Sequence, residues 1–257
     1  MFTQKMSNDD ALRYAKAYFP KSLVVELERL TYQTEPERAH ENLARFAALV
    51  NAARRDIERG GFQPEVKNVM LEMLRQEAEN GLNAIRANLT KKLAREKADI
   101  ADRLRELEDE AAGDNFQTYL SMRWPLLQRA LDAGRSVAEV LAASGDRRDA
   151  YVLRRNLPLL LSERYTGRDF EIALQGALAE IELWERGKMS EQELKLRDRL
   201  GRHNSGAYRV EVSLSQAETA LASDPQSGLP FTGFDGEVVW LHPDGRVNET
   251  PPQGIGQ

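Results

Sequence analysis

The chain has no cysteine among its 257 residues. Disulfides, thiolate-ligated zinc and a cysteine nucleophile are therefore excluded, and a reducing compartment is the natural fit. Histidine is almost as rare, with His40, His203 and His242 alone. None has a second histidine or a carboxylate at metal-site spacing, and His40-Glu41 lacks the second histidine of the zincin helix. A surface or turn position is expected for each.

Phosphate loops, dinucleotide fingerprints and nucleophile elbows are also missing. The Gly-x-Gly at Gly254 falls in a terminal stretch, Gln253 to Gln257, that is expected to be disordered. Acidic pairs such as Asp99 with Asp102 and Glu106 with Glu110 share a helical face, but carboxylates are abundant and the Glu-x-x-His pattern of di-metal bundles does not occur. No catalytic residue, cofactor or metal site is expected.

No apolar run approaches the roughly 18–20 residues that span a bilayer. The longest, Leu157 to Leu161, contains Pro158 and is flanked by Arg155 and Glu163. Met1 to Phe19 is interrupted by Lys5, Asp9, Asp10, Arg13 and Lys16, so it does not read as a signal peptide. The expectation is a cytoplasmic protein with no membrane partner, or one built into a particle such as a virion. A net charge of −5 disfavours nucleic-acid binding by the whole surface, because an acidic protein repels phosphate.

What is present is helical texture, with 41% hydrophobic and 30% charged residues. Ser7 with Asp10 can cap a first helix ending before Pro20, and Leu23, Leu27 and Leu30 share one face of a second. Thr34 with Glu37 forms a capping-box pattern for a helix running to about Arg59, with Leu43, Phe46, Ala47, Val50, Ala53 and Ile57 as its stripe. Gly60-Gly61 should end it through a left-handed cap.

Between Glu65 and Ala112 there is no proline and a single glycine, Gly81, the natural place for a kink. Apolar residues recur from Val66 to Ala111, and from Leu82 onward the steps are mostly three, four or seven, which predicts a coiled-coil seam. Such a helix would be about 70 Å long at 1.5 Å per residue. A compact domain of this whole chain would be only about 40 Å across. Part of the helix should therefore project or pair. Basic residues Lys91, Lys92, Arg95 and Lys97 precede acidic Glu106, Glu108, Asp109 and Glu110, so antiparallel pairing about Ile100, with a second copy or with a complementary segment, matches opposite charges. A solvated helix face is the equal alternative for these charges. Leu89, Leu93, Ile100, Leu104 and Leu107 are the expected oligomer interface.

Beyond Gly113 the helices shorten. Asp114 or Asn115 can cap a helix bent at Pro125 and ended by Gly134. Ser136 with Glu139 boxes the start of Val137 to Ala143. Arg147 to Asn156 should be helical until Pro158, Asp169 should cap the next helix, and Ser190 with Glu193 a further one ending at Gly201. Alternation over Tyr208 to Leu214 suggests a strand. Glu237 to Val247, with Asp244-Gly245 at its turn, suggests a β-hairpin. The expected fold is mainly α, in four segments: short helices over 1–33, a long helical hairpin or coiled-coil arm over 34–113, a helical bundle over 114–202, and a C-terminal extension over 203–257.

Residues 115–170 carry nine arginines against six acids and no lysine. Arginine suits bidentate contacts to phosphate or carboxylate. Arg147, Arg148, Arg154 and Arg155 on the second helix of a helix–turn–helix spacing are therefore candidate nucleic-acid contacts. The simpler expectation is that they pair with acidic helices of this chain or of a neighbouring copy. Trp240, on a short strand with little apolar material around it, either docks on the helical body or is an anchor for a partner. Together these features predict a non-enzymatic structural or assembly protein that self-associates and contacts another protein, with a texture like that of phage scaffolding or virion components. A nucleic-acid-associated regulator is the second expectation.

Overall fold

The structure is a computed structural model and describes residues 6–113, 115–222 and 228–251. The side chains of Ala111 and Ala112, the cap position Asp114 and the tail 253–257 lie outside the described residues. The chain is mainly α-helical with a small antiparallel sheet near its C-terminal end. It divides into two compact units, one formed by 1–97 with 201–257 and the other by 98–200. This division cuts across the four sequence segments, because the C-terminal extension folds with the N-terminal helices.

In the first unit, α1 (Asn8–Tyr18) starts at Ser7, whose side chain accepts from the Asp10 amide. Then follow α2 (Lys21–Gln33) and α3 (Ala39–Arg59). The Thr34 capping box does not form. The Thr34 hydroxyl donates back to the Leu30 carbonyl, and Pro36–Arg38 makes a 3-10 turn before α3. Gly60 does stop α3, but in an extended conformation (φ −60°, ψ 150°) and not a left-handed one.

Helix α4 (Pro64–Ala112) is unbroken through Gly81. The glycine serves close packing. A Cβ at Gly81 would stand 2.8 Å from the ring of fully buried Phe46, so the missing side chain lets α3 approach α4.

Helix α9 (Glu191–Ala222) does not end at Gly201 and absorbs the predicted strand. His203, Gly206, Val210, Ser213, Leu214, Ala217 and Ala220 are buried at steps of three, four or one. That helical period outweighs the two-residue alternation of Tyr208, Val210 and Val212. A Cβ at Gly206 would stand 2.5 Å from the Phe234 ring, so this glycine too is a packing residue.

The sheet has the order β1-β2-β3, antiparallel throughout: β1 (Leu229–Thr232), β2 (Val238–Leu241) and β3 (Val247–Asn248). The β2–β3 hairpin is the predicted one, with Gly245 at φ +88° in its turn. Strand β1 was not expected, because Pro230 and the surrounding turn residues hide it; Pro230 pairs in register with Trp240. An isolated hairpin is marginal in water. Here Phe231, Val239 and Leu241 bury into one core with Leu43, Phe46, Val50, Ile85, Leu89, Val210 and Leu214.

In the second unit, α5 (Phe116–Asp132), α6 (Val137–Ser144), α7 (Arg147–Ser162) and α8 (Gly167–Arg186) enclose a core of Leu141, Val152, Leu153, Leu157 and Ile181. Both halves of the Ser136–Glu139 capping box form. Ser190 and Glu193 likewise exchange backbone-to-side-chain bonds at the start of α9. Helix α7 runs through Pro158 against expectation. An interior proline costs about 3 kcal/mol or more, and burial of Leu153, Leu157 and Leu160 on both sides of it offsets that cost. Helix α5 also continues through Pro125. Thr166, not Asp169, is the N-cap of α8, and its side chain makes no capping bond.

Candidate functional site

The predicted interface residues on α4 are covered by the chain itself. Leu89 is fully buried in the first unit's core, and Leu93 packs against that core. In the second unit Ile100 and Leu104 bury against Leu196 of α9, with Leu107 and Leu200 beside them. The complementary segment is α9. In the first unit Arg86 Nη1 lies 2.7 Å from Glu218 and His203 Nε2 lies 3.7 Å from Glu96. In the second, Glu108 lies 2.9 Å from Arg197. Of the two charge blocks on α4, only Lys92, with Glu35, and Glu108, with Arg154 and Arg197, make ion pairs among the described residues, while the other six block residues are exposed. Leu89, Ile100 and Leu104 are buried, and Leu93 and Leu107 are partly buried.

The candidate nucleic-acid arginines are mostly occupied as well. Arg147 pairs with Glu193, which is almost fully buried. Arg148 pairs with Asp146 at 2.7 Å and lies 4.1 Å from the centre of the Tyr119 ring. Arg154 bridges Glu108 at 2.8 Å and the fully buried Glu185. Only Arg155 of the four is exposed with no ion pair among the described residues. A second cluster sits one turn away along α7. Asp149, with no exposed side-chain surface, accepts from Arg123, Ser144 and the Tyr119 hydroxyl at 2.8 Å.

These placements set the ionisation of the cluster. Burial pushes Asp149 up, but the bonds from Arg123, Ser144 and Tyr119 outweigh it and hold the carboxyl below its ordinary range. The side-chain bond from Arg148 lowers Asp146 to about 2. Glu185 is raised because burial outweighs attraction to Arg154 and Arg197. Burial also pushes the Tyr151 phenol up to about 12. Its hydroxyl is buried without a hydrogen-bond partner among the described residues. The sequence suggested that these arginines pair with acids but could not name most of the partners, because Asp149, Glu185 and Glu193 lie 26 to 46 residues from the arginines they meet.

The histidines correct a further expectation. His40 and His203 are buried, at 2% and 4% exposure. His40 Nε2 lies 3.8 Å from Glu237, and the His203 ring meets Phe234 edge-on at 5.9 Å. Both therefore brace the β1–β2 turn. His242 is the turn histidine expected, with Nε2 bonded to Asn248 and Thr250. No group of three or more His, Asp or Glu among the described residues could hold a metal. Trp240 is half-buried on the sheet face opposite Val239 and Leu241, so the sheet docks through Phe231, Val239 and Leu241 and not through the tryptophan.

One surface feature has the form of a binding site. A cleft of about 430 Å³ in the first unit lies between the ends of α1 and α2 and the last turns of α3, with Met70 of α4 also lining it. Its walls are Tyr18, Leu23, Leu49, Ile57 and Phe62, and Ala52 and Ala53 leave it open. Tyr14 and Tyr18 stack at 6.4 Å with planes 2° apart, and Phe62 leans on Tyr18 at 5.8 Å. Tyr14 and Tyr18 are 50% and 60% exposed. Gly60 makes this wall available, since a Cβ there would stand 2.8 Å from the Phe62 ring. The spacing of apolar residues did not reveal the row, because Tyr14 and Tyr18 fall off the buried stripe of α1.

No helix among the described residues is long and apolar enough to cross a membrane. The chain matches no protein-family model, and no curated protein or solved structure resembles it significantly.

Proposed function

We propose that this chain is a non-enzymatic structural or assembly protein that acts through protein–protein contacts. The observation that carries this reading is the contrast between arginines and α4 side chains engaged within the chain and an exposed aromatic cleft. Leu89, Ile100 and Leu104 of α4 are buried within the chain, and three of the four candidate arginines are paired with carboxylates. Apolar surface left open lies elsewhere, on Tyr14, Tyr18, Val25 and Tyr32 in the first unit and on Met122, Leu126, Ile172 and Leu183 in the second. Tyrosine supplies contact area at low entropic cost and is enriched at interfaces.

Self-association is accordingly assigned to these faces and not to Leu89–Leu107. A nucleic-acid role would require Arg147, Arg148 and Arg154 to exchange an existing carboxylate for phosphate, which argues for the contact reading. The test is light scattering after size exclusion over a concentration series, with hydrogen exchange on the same samples. The expected result is a mass that rises with concentration and new protection on α1, α2 or α5. A monomer at every concentration, together with salt-sensitive binding to duplex DNA, would reverse the preference.

A further inference from the structure

We propose that the cleft between α1, α2 and α3 receives an amphipathic helix of another protein, with large apolar side chains turned inward and a lysine or arginine beside Asp56. This rests on the contact reading above and names its partner by chemistry. Three observations select the occupant.

The first is shape. Leu49, Ala52, Ala53, Asp56 and Ile57 line the cleft from α3 at helical spacing. Eight residues of helix rise about 12 Å, the height of two turns. A groove of that height flanked by small residues takes the side chains that a helix presents at i, i+3 and i+4. The second is extent. The Tyr14–Tyr18 stack continues the aromatic wall one helical turn beyond the cleft, which gives a surface larger than an enclosed ligand pocket.

The third is charge. The lining includes two carboxylates, Glu26 and Asp56, and no lysine, arginine or histidine. Glu26 is held by Arg29. Asp56 is exposed and has no ion pair among the described residues. An acidic helix would meet like charge there, and a purely apolar one would leave Asp56 without a counter-ion as the surrounding surface is covered.

The probe is a fluorescein-labelled helical peptide of about 14 residues, roughly four turns, with leucine on one face and lysine on the other. A leucine/glutamate peptide of the same pattern is the control, and binding to the full chain is read by fluorescence anisotropy. Asp56→Lys reverses the cleft's charge, and Ala52→Trp fills it. Both positions are exposed, and unchanged circular dichroism verifies the fold of each variant. Asp99→Lys, also exposed, makes the same change in net charge outside the cleft.

The expected result is saturable binding of the leucine/lysine peptide, weakened about 10-fold or more by Asp56→Lys and by Ala52→Trp and unchanged by Asp99→Lys. Equal binding of the leucine/glutamate peptide, or equal weakening by Asp56→Lys and Asp99→Lys, would overturn the proposal. If the peptide fails to bind while the unmodified chain still self-associates in light scattering, the cleft assignment falls and the contact reading stands.

Discussion

Replacing Gly81 by alanine tests the packing of α3 on α4 against simple helix propensity. Propensity favours the substitution, since alanine in a helix interior is worth about 0.5–1 kcal/mol over glycine. Packing opposes it. The new Cβ would stand 2.8 and 2.9 Å from the Phe46 ring, which is fully buried and has no solvent side to turn toward. Overpacking of this kind costs about 1–3 kcal/mol. The expected net effect is destabilisation by about 1–2 kcal/mol. Gly201 provides the control in the same unit, because it is helical and nothing lies within 4 Å of its Cβ position. Gly201→Ala should stabilise by about 0.5–1 kcal/mol. Urea unfolding followed by circular dichroism reads both from the midpoint at constant slope. If Gly81→Ala raises the midpoint as Gly201→Ala does, the close approach of Phe46 to α4 is wrong.

Other perturbations give equally definite outcomes. Asp149→Ala removes the carboxylate shared by Arg123, Ser144 and Tyr119, and should lower stability by about 3 kcal/mol, the low end for a broken buried pair because Arg123 keeps partial solvent contact; a loss under about 1 kcal/mol would contradict the network. The acid limb follows from the lowered carboxyls. Asp146 and Asp149 stabilise the fold above their ordinary range, and that contribution is lost as pH falls through their lowered folded values, about 2 for Asp146. Asp149→Asn should therefore flatten the acid-side decline in urea midpoint. Glu185, whose folded value is raised, contributes in the opposite sense, with stability lost as pH rises, so Glu185→Gln should steepen the acid-side decline. Phe231→Ala should cost about 3–5 kcal/mol and speed hydrogen exchange in β1 and β2; unchanged exchange there would mean that the sheet does not dock on α3 through this ring.

The parts of the fold that were legible in the sequence are those set by local chemistry. The helix over Glu65–Ala112 could be read because nothing in it breaks a helix. The Ser136–Glu139 and Ser190–Glu193 starts could be read because a capping box closes within four residues. The β2–β3 hairpin announced itself through Asp244-Gly245. Features decided by distant partners were not legible. Gly81 looked like a hinge until Phe46, far away in sequence, explained it. Gly201 looked like a stop, and Tyr208–Leu214 like a strand, because the core that buries Val210 and Leu214 is built largely by α3, α4 and the sheet. Pro158 looked like a break because the burial of Leu157 and Leu160 does not show in composition. That Arg154 pairs with acids was the simpler expectation, but the partners could not be named because Glu108 and Glu185 lie on other helices. The charge blocks of α4 suggested an opposite segment, but most of their residues form a solvated helix face, and only Lys92 and Glu108 find partners within the chain.

Leu89, Ile100 and Leu104 of α4 are closed off by the chain itself, and the proposed contacts with other proteins use different faces. Ile100→Ala tests it most directly, with molar mass by light scattering and urea midpoint measured on the same samples at the same concentration. Ile100 is 2% exposed beside Leu104 and Leu196. The account predicts an unchanged mass with stability lower by about 2–5 kcal/mol. A fall in mass with an unchanged midpoint would place Ile100 between copies of the chain and contradict it.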